Sequence, residues 1–234
     1  MPIRRYRQSQ AYASATFVDD NLKYELVSSY LKKYDDMFAF IDAKKVLMIG
    51  GAAYQYPKYF IAHFPDRYLE VVEIDPMATA IARTYFYLDD LFQDYSLDEN
   101  NRLTIYHEDG RIFLSQTDTR YDAILNDAFS GQKPVPTLAT LQAAQLIHQH
   151  LTPQGVYMLN VFGFLTGKDS FLRSQIKTLQ QVFTYVYVLY NTGNNQYMVI
   201  ATDNNTYQPP DAISYTLQDS DLILIDDYVP IDQY

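Results

Sequence analysis

The feature that most constrains the fold is a glycine turn that joins two apolar segments. Residues 46–49 (Val-Leu-Met-Ile) run into Gly50 and Gly51, and a second, mostly apolar run, Leu69-Glu70-Val71-Val72, leads to Glu73. Continuous apolar runs are typical of parallel strands that helices cover on both faces. A glycine turn after the first strand, with an acid about 20 residues further on, is typical of Rossmann-like folds. The pattern therefore predicts a doubly wound α/β sheet.

The same turn predicts a binding site for a nucleoside. Gly50 and Gly51 permit positive φ and a close approach of backbone to a ligand, and the Glu73 carboxylate can accept hydrogen bonds from two ribose hydroxyls. In place of Gly-x-Gly-x-x-Gly the turn has Ala53 and Tyr56 at the later glycine positions. A dinucleotide pyrophosphate needs those glycines. The loop therefore disfavours NAD and FAD and favours a nucleoside without phosphates, such as an adenosyl sulfonium.

Further candidate site residues follow the next two predicted strands. Asp109 and Gly110 come after residues 103–107, and an acid followed by glycine can accept from an adenine amino group while the glycine approaches the ring. Asp127 comes after residues 121–126. Binding crevices of such sheets lie outside the carboxyl ends of the strands, so these residues are expected at one edge. Asp75 precedes Pro76 and is predicted to cap a helix instead.

The remaining pattern predicts three regions. Residues 1–40 would form a truncated N-terminal β-hairpin, with strands at 11–17 and 22–26, and a linking helix at 28–40. Residues 41–202 would form the Rossmann-like nucleoside-binding domain, and 203–234 an acidic tail. Within the domain the remaining predicted strands are 155–161 and a closing antiparallel hairpin of 185–190 with 196–201, and the predicted helices are 57–64, 76–92, 110–115, 137–150 and 168–182.

Composition narrows the function classes. The net charge is −10 and no basic cluster offsets it, which argues against a nucleic-acid partner. With no cysteine and four histidines, no metal site is predicted. No apolar run is long enough to span a membrane. Because the N-terminus lacks the apolar core of a signal peptide, a cytoplasmic protein is predicted.

Several short motifs together resemble one family. They are Val72-Glu73-Ile74-Asp75-Pro76, Asp109-Gly110, Tyr121-Asp122-Ala123-Ile124, Asp127 and Leu151-Thr152-Pro153-Gln154-Gly155-Val156. From about residue 11 to 162 the chain resembles the spermidine/spermine synthases, the polyamine aminopropyltransferases, in a divergent spermidine synthase-like branch. The resemblance implies a Rossmann-like methyltransferase fold and no tightly bound cofactor. The implied co-substrate is S-adenosylmethionine, its decarboxylated form or methylthioadenosine, with Glu73 on the ribose, Asp109 on the adenine and Asp127 at the reacting amine.

One departure from the family bears on activity. The family's Asp-Ser-Ser-Asp after the fourth strand is Asp127-Ala128-Phe129-Ser130 here, and Ser130 cannot take a proton from an ammonium as a carboxylate can. Three readings stay open: aminopropyl transfer to an amine such as a polyamine, methyl transfer from S-adenosylmethionine, and a non-catalytic nucleoside-binding regulator. The family often forms dimers, so the resemblance also implies a homodimer.

Overall fold

A small hairpin precedes a large sheet in the computed structural model, which describes residues 1–8, 11–130, 133–167, 170–192 and 195–229. Strands β1 (Ile3–Gln8) and β2 (Ala11–Phe17) pair antiparallel as the hairpin. The later strands are β3 (Lys45–Ile49), β4 (Tyr68–Val72), β5 (Leu103–Tyr106), β6 (Tyr121–Asn126), β7 (Phe129–Ser130), β8 (Lys133–Pro134), β9 (Leu151–Phe162), β10 (Tyr185–Thr192) and β11 (Gln196–Thr202). The two-residue strands β7 and β8 pair antiparallel with each other.

The large sheet has seven strands in the order β10-β11-β9-β6-β3-β4-β5. Strands β9, β6, β3, β4 and β5 run parallel to one another, whereas β11 is antiparallel to both β9 and β10. The predicted doubly wound sheet with an antiparallel last hairpin is therefore confirmed. From β3 the chain adds β4 and β5 on one side and then β6 and β9 on the other. At the point where this direction reverses, between β3 and β6, a crevice opens at the carboxyl edge of the sheet.

Helices cover both faces of the sheet. They are α1 (Gln55–His63), α2 (Pro76–Tyr85), α3 (Leu88–Asp94), α4 (Leu97–Asn100), α5 (Gly110–Gln116), α6 (Leu141–Gln149) and α7 (Phe171–Leu179), with 3₁₀ turns at Asp20–Leu22, Ser29–Ala39 and Pro136–Leu138. Alternate residues of β3 enter different cores: Val46 and Met48 pack in one cluster, Leu47 and Ile49 in the other. Burial on both faces explains why the strand is apolar throughout.

The N-terminal hairpin exists, but its predicted pairing was wrong. The strand at 11–17 pairs with residues 3–8, with Ile3 opposite Phe17, and residues 22–26 form no strand. The Asp19 carboxylate accepts the Asn21 backbone N–H at 3.0 Å and starts a 3₁₀ turn. Asx turns of this kind end a strand. Alternation alone identified one strand but could not choose between partners on either side.

Two predicted helices were also corrected. The helix before β3 is 3₁₀, and its buried residues Leu31, Tyr34 and Met37 recur every third position, as three residues per turn require. The helix predicted at 76–92 is divided at Tyr87, which has a left-handed φ of 61°. The break allows Phe86 and Leu88 to be buried on both sides of it.

The C-terminal segment packs along the domain as far as residue 229. Tyr207 and Leu224 are fully buried, and the Leu224 carbonyl accepts the Leu141 N–H at 2.7 Å. Asp221 forms a buried ion pair with Arg173 of α7, with Nε to Oδ2 at 2.9 Å. Within the described ranges, no helix has the length and apolar character needed to cross a bilayer.

Candidate functional site

A cavity of about 680 Å³ opens at the carboxyl edge of the sheet, across the switch point. All six predicted site residues line it: Gly50, Gly51, Glu73, Asp109, Gly110 and Asp127. They come from the ends of β3, β4, β5 and β6, which are adjacent in the sheet, and the hairpin β1–β2 forms the outer wall with Ile3 and Ala15. Parallel strands thus bring together residues that lie far apart in sequence.

The glycine loop is tightly constrained against the neighbouring strand. Gly50 has φ of +93°, and a Cβ built there would lie 2.8 Å from the Asp127 carbonyl oxygen. Any side chain would be strained by the backbone conformation and would also clash with backbone. The Gly50 N–H donates to the Val72 carbonyl at 2.9 Å. The loop therefore fixes the distance between the chain after β3 and the chain after β6.

Glu73 is buried and organises the same loop. Its Oε2 accepts the N–H groups of Gly51 and Ala52, both at 2.8 Å, and its Oε1 accepts the Asp75 N–H at 2.9 Å. A carboxylate offers about four acceptor positions, so one remains beyond these three bonds. Glu73 is thus a structural clamp on the loop as well as a candidate acceptor for hydroxyl groups.

Asp109 and Gly110 form the start of helix α5. The Asp109 Oδ1 accepts the N–H groups of Arg111 at 2.8 Å and Ile112 at 3.1 Å, which is an N-cap. A Cβ on Gly110 would lie 2.5 Å from Ile49 Cγ2, so this helix packs directly on β3 only because the residue is glycine. The prediction that Asp75 caps the helix begun at Pro76 is confirmed, because Asp75 accepts the Met77 N–H at 2.9 Å at the start of α2.

Asp127 is partly buried and held by two neutral donors. Its Oδ1 accepts from Asn160 Nδ2 at 2.7 Å, and its Oδ2 accepts from the Tyr30 hydroxyl at 3.1 Å. Burial raises the pKa of Asp127 to about 6, against the opposing effect of the two hydrogen bonds. Burial and the nearby Asp127 charge also raise the pKa of Tyr30, so this phenol stays a donor. The carboxylate is therefore poised to exchange a proton close to neutral pH.

The residues around Asp127 are the ones that sequence reasoning missed. Gln196 Nε2 donates to Asn160 Oδ1 at 2.9 Å, which orients the Asn160 amide toward Asp127. Asn160 and Gln196 are buried polar residues in β9 and at the start of β11. A polar residue inside the apolar run 156–161 was a signal for Asn160, whereas nothing in the sequence marked Tyr30.

Two aromatic rings continue the wall beyond Asp127. Phe129 and Phe162 meet edge to face, with ring centroids 5.5 Å apart, and both line the cavity. Phe162 is still 38% exposed. The side chain of Ser130, where the resemblance in sequence would place a second aspartate, lies outside the described residues.

A buried lysine holds the hairpin wall in place. Lys58 Nζ donates to Thr16 Oγ1 at 3.0 Å, to the Lys23 carbonyl at 3.1 Å and to the Phe86 carbonyl at 2.6 Å. Burial lowers the pKa of Lys58 to about 7. Its three bonds join the hairpin, the segment after it and the end of α2, and so they fix one side of the cavity. No cluster of three or more metal-ligating side chains occurs in the part of the chain that the structure describes.

This sheet order, with its cavity at the switch point, defines a Rossmann-like protein of the methyltransferase fold. Residues 22–207 match the family model described as the spermine/spermidine synthase domain. The chain therefore belongs to the spermine/spermidine synthase family.

Three similar proteins illustrate the relationship. A polyamine aminopropyltransferase of Vibrio vulnificus is 29% identical over 51% of this chain and 38% of its own length. The solved structure of a probable spermidine synthase from Corynebacterium glutamicum has a TM-score of 0.66 at 20% identity, covering 82% of this chain and 69% of that one. Human methyltransferase-like protein 13, solved with SAH, has a TM-score of 0.57 at 22% identity, covering 79% and 81%.

The similar structures and the curated relatives support different conclusions. At such low identities the two structures establish the fold alone. The chain spans less than two thirds of the length of the first curated relatives that it matches.

Proposed function

We propose that this protein binds decarboxylated S-adenosylmethionine in the cavity and transfers its aminopropyl group to an amine. The observation that carries the proposal is a single cavity with hydrogen-bonding acids at one end and a partly buried carboxylate of raised pKa at the other. We call the loops after β3, β4 and β5 the nucleoside half. The acceptor half comprises Tyr30, Asp127, Phe129, Asn160, Phe162 and Gln196.

In the nucleoside half, Glu73 would accept from one ribose hydroxyl with its remaining acceptor position. Asp109 would accept from the adenine amino group through Oδ2, because Oδ1 caps α5. Gly50 and Gly51 would let the loop backbone approach the nucleoside closely. No phosphate is needed in this arrangement, which agrees with the alanines of the loop.

In the acceptor half, Asp127 would bind the incoming ammonium and take one proton from it. The freed nitrogen lone pair then forms a bond to the aminopropyl carbon attached to sulfur. The carbon–sulfur bond breaks, and its electron pair neutralises the sulfonium to give methylthioadenosine. General base catalysis of this kind contributes roughly 10²–10⁴-fold, and holding the two reactants together contributes several kcal/mol more.

Calorimetric titration with four ligands, followed by product analysis, tests the proposal. We expect decarboxylated S-adenosylmethionine and methylthioadenosine to bind, and S-adenosylmethionine to bind more weakly because its carboxylate meets Asp127. An aminopropylated amine should then be found by mass spectrometry. If NAD bound tightly and the other three ligands did not, the cavity would not be a site for an adenosyl sulfonium. A methylated product would favour the methyltransferase alternative, and binding without turnover across amines and methyl acceptors would favour the non-catalytic one.

A further inference from the structure

The acids that line the cavity are unevenly distributed. Among the described lining residues, Glu73, Glu108 and Asp109 follow β4 and β5, whereas Asp127 alone follows β6. Neighbouring strands lie about 4.8 Å apart, so the chain after β5 is roughly 14 Å from the chain after β6, three strands away. Negative charge is therefore concentrated on the nucleoside side, and the acceptor side has one described carboxylate.

Beyond Asp127 the described wall is aromatic and amide in character. Residues two apart in a strand share a face, so Asn160 and Phe162 of β9 both face the cavity. Phe129 packs against Phe162 at an interplanar angle of 65°. The Asn160 amide is engaged by Asp127 and Gln196. An ammonium on Asp127 would thus have flat apolar surface beside it.

This wall of aromatic rings and amides favours amines with an aromatic substituent over amines with a second ammonium. A second ammonium on the same acceptor would find no second carboxylate among the described lining residues of this half, whereas the first pairs with Asp127. An aromatic substituent, by contrast, gains from edge-to-face contact with the two rings.

Resting on the proposed function, we infer that the preferred acceptor is a monoamine with an aromatic substituent. Its ammonium lies on Asp127 and its ring packs against Phe129 and Phe162. These two rings then determine specificity, whereas Asp127 provides the chemistry.

Binding to the protein saturated with methylthioadenosine tests this inference, because that complex leaves the acceptor half open and cannot react. Phenethylamine, putrescine and butylamine are titrated by calorimetry. We expect phenethylamine to bind at least 10-fold more tightly than putrescine, with butylamine between them. Putrescine binding as tightly as phenethylamine would overturn the inference and leave aminopropyl transfer standing.

Two phenylalanine variants distinguish a specific contribution of the aromatic wall, Phe129 and Phe162, from a general effect of losing an aromatic side chain. Phe162→Ala should abolish the preference for phenethylamine while the affinity for methylthioadenosine stays unchanged. Phe164→Ala is the matched control, because Phe164 is 61% exposed, lies two residues on and is not among the lining residues. A preference that survives Phe162→Ala would contradict the inference. If phenethylamine binds as expected but no amine consumes decarboxylated S-adenosylmethionine, the transfer proposal fails and the amine site remains.

Discussion

The nucleoside half of the cavity is held by backbone amides, whereas the acceptor half is held by side chains. Glu73 and Asp109 accept from N–H groups of the glycine loop and of the first turn of α5. Asp127 is instead held by Tyr30 and Asn160, which are 97 and 33 residues away in the chain. Backbone donors persist whatever the side chains are, so the first half can be retained while the second diverges. The comparison teaches that reaction and specificity should be the more easily altered properties here.

Removing the Asp127 charge should produce the largest difference between the halves. Asp127→Asn keeps the size and one acceptor but removes the base, so kcat/KM for amine transfer should fall by about 10²–10⁴-fold. In the unmodified protein kcat/KM should rise with pH through about 6, as Asp127 ionises, and this limb should disappear in the variant. Stopped assays across pH measure both. If Asp127→Asn weakened methylthioadenosine binding by the same factor as it lowered kcat/KM, the two halves would not act independently.

Gly50, in the loop after β3, can be compared with Gly167, which lies in a different loop after β9. Gly50 and Gly167 have φ of +93° and +90°, but only a Cβ on Gly50 would meet neighbouring atoms. Gly167→Ala should cost about 1–2 kcal/mol of unfolding free energy from the backbone conformation alone. Gly50→Ala should cost about 2–4 kcal/mol, because backbone strain and overpacking add. Urea unfolding measures both, and equal costs would mean that the loop is not pressed against Asp127.

In the nucleoside half, Glu73→Gln should weaken methylthioadenosine binding by about 1–3 kcal/mol, because charge-assisted hydrogen bonds are lost. The amide oxygen can still accept from the loop, so the fold should persist, whereas Glu73→Ala would also leave loop amides unpaired. Glu70→Gln is the control, because Glu70 lies on β4, the strand that leads to Glu73. The Glu70 carboxylate binds Tyr121 and Lys45 and does not line the cavity. Unchanged affinity in Glu73→Gln would remove this residue from the nucleoside site.

The smallest expected effect concerns stability. Because the pKa of Asp127 is raised to about 6 in the folded protein, the folded state holds a proton that the unfolded chain releases between about pH 4 and 6. Folding stability attributable to this group therefore falls as pH rises through that window. Asp127→Asn should be more stable than the unmodified protein by about 1–2 kcal/mol at pH 8, and by less at pH 5. Equal denaturation midpoints at both pH values would contradict this account.

The residues of the nucleoside half could be predicted from the sequence, whereas those around Asp127 in the acceptor half could not. The residues of the nucleoside half follow strands that their apolar runs identify, and parallel strands must bring their carboxyl ends to one edge. The acceptor half combines Tyr30 from a 3₁₀ helix, Asn160 from the middle of the chain and Gln196 from an antiparallel strand. No local pattern links these segments. The pairing of the N-terminal hairpin failed likewise, since alternation marks a strand without naming its partner.

The sequence alone determined the doubly wound sheet, the glycine loop with Glu73 and the placement of Asp109 and Asp127 at one edge. These depend on periodicity and on the order of strands along the chain, which are local properties. Only the tertiary structure decided what surrounds Asp127, that Glu73 also clamps the loop, and that Phe129 meets Phe162. Those contacts arise between segments brought together by packing, and contact between distant side chains leaves no periodic trace in sequence.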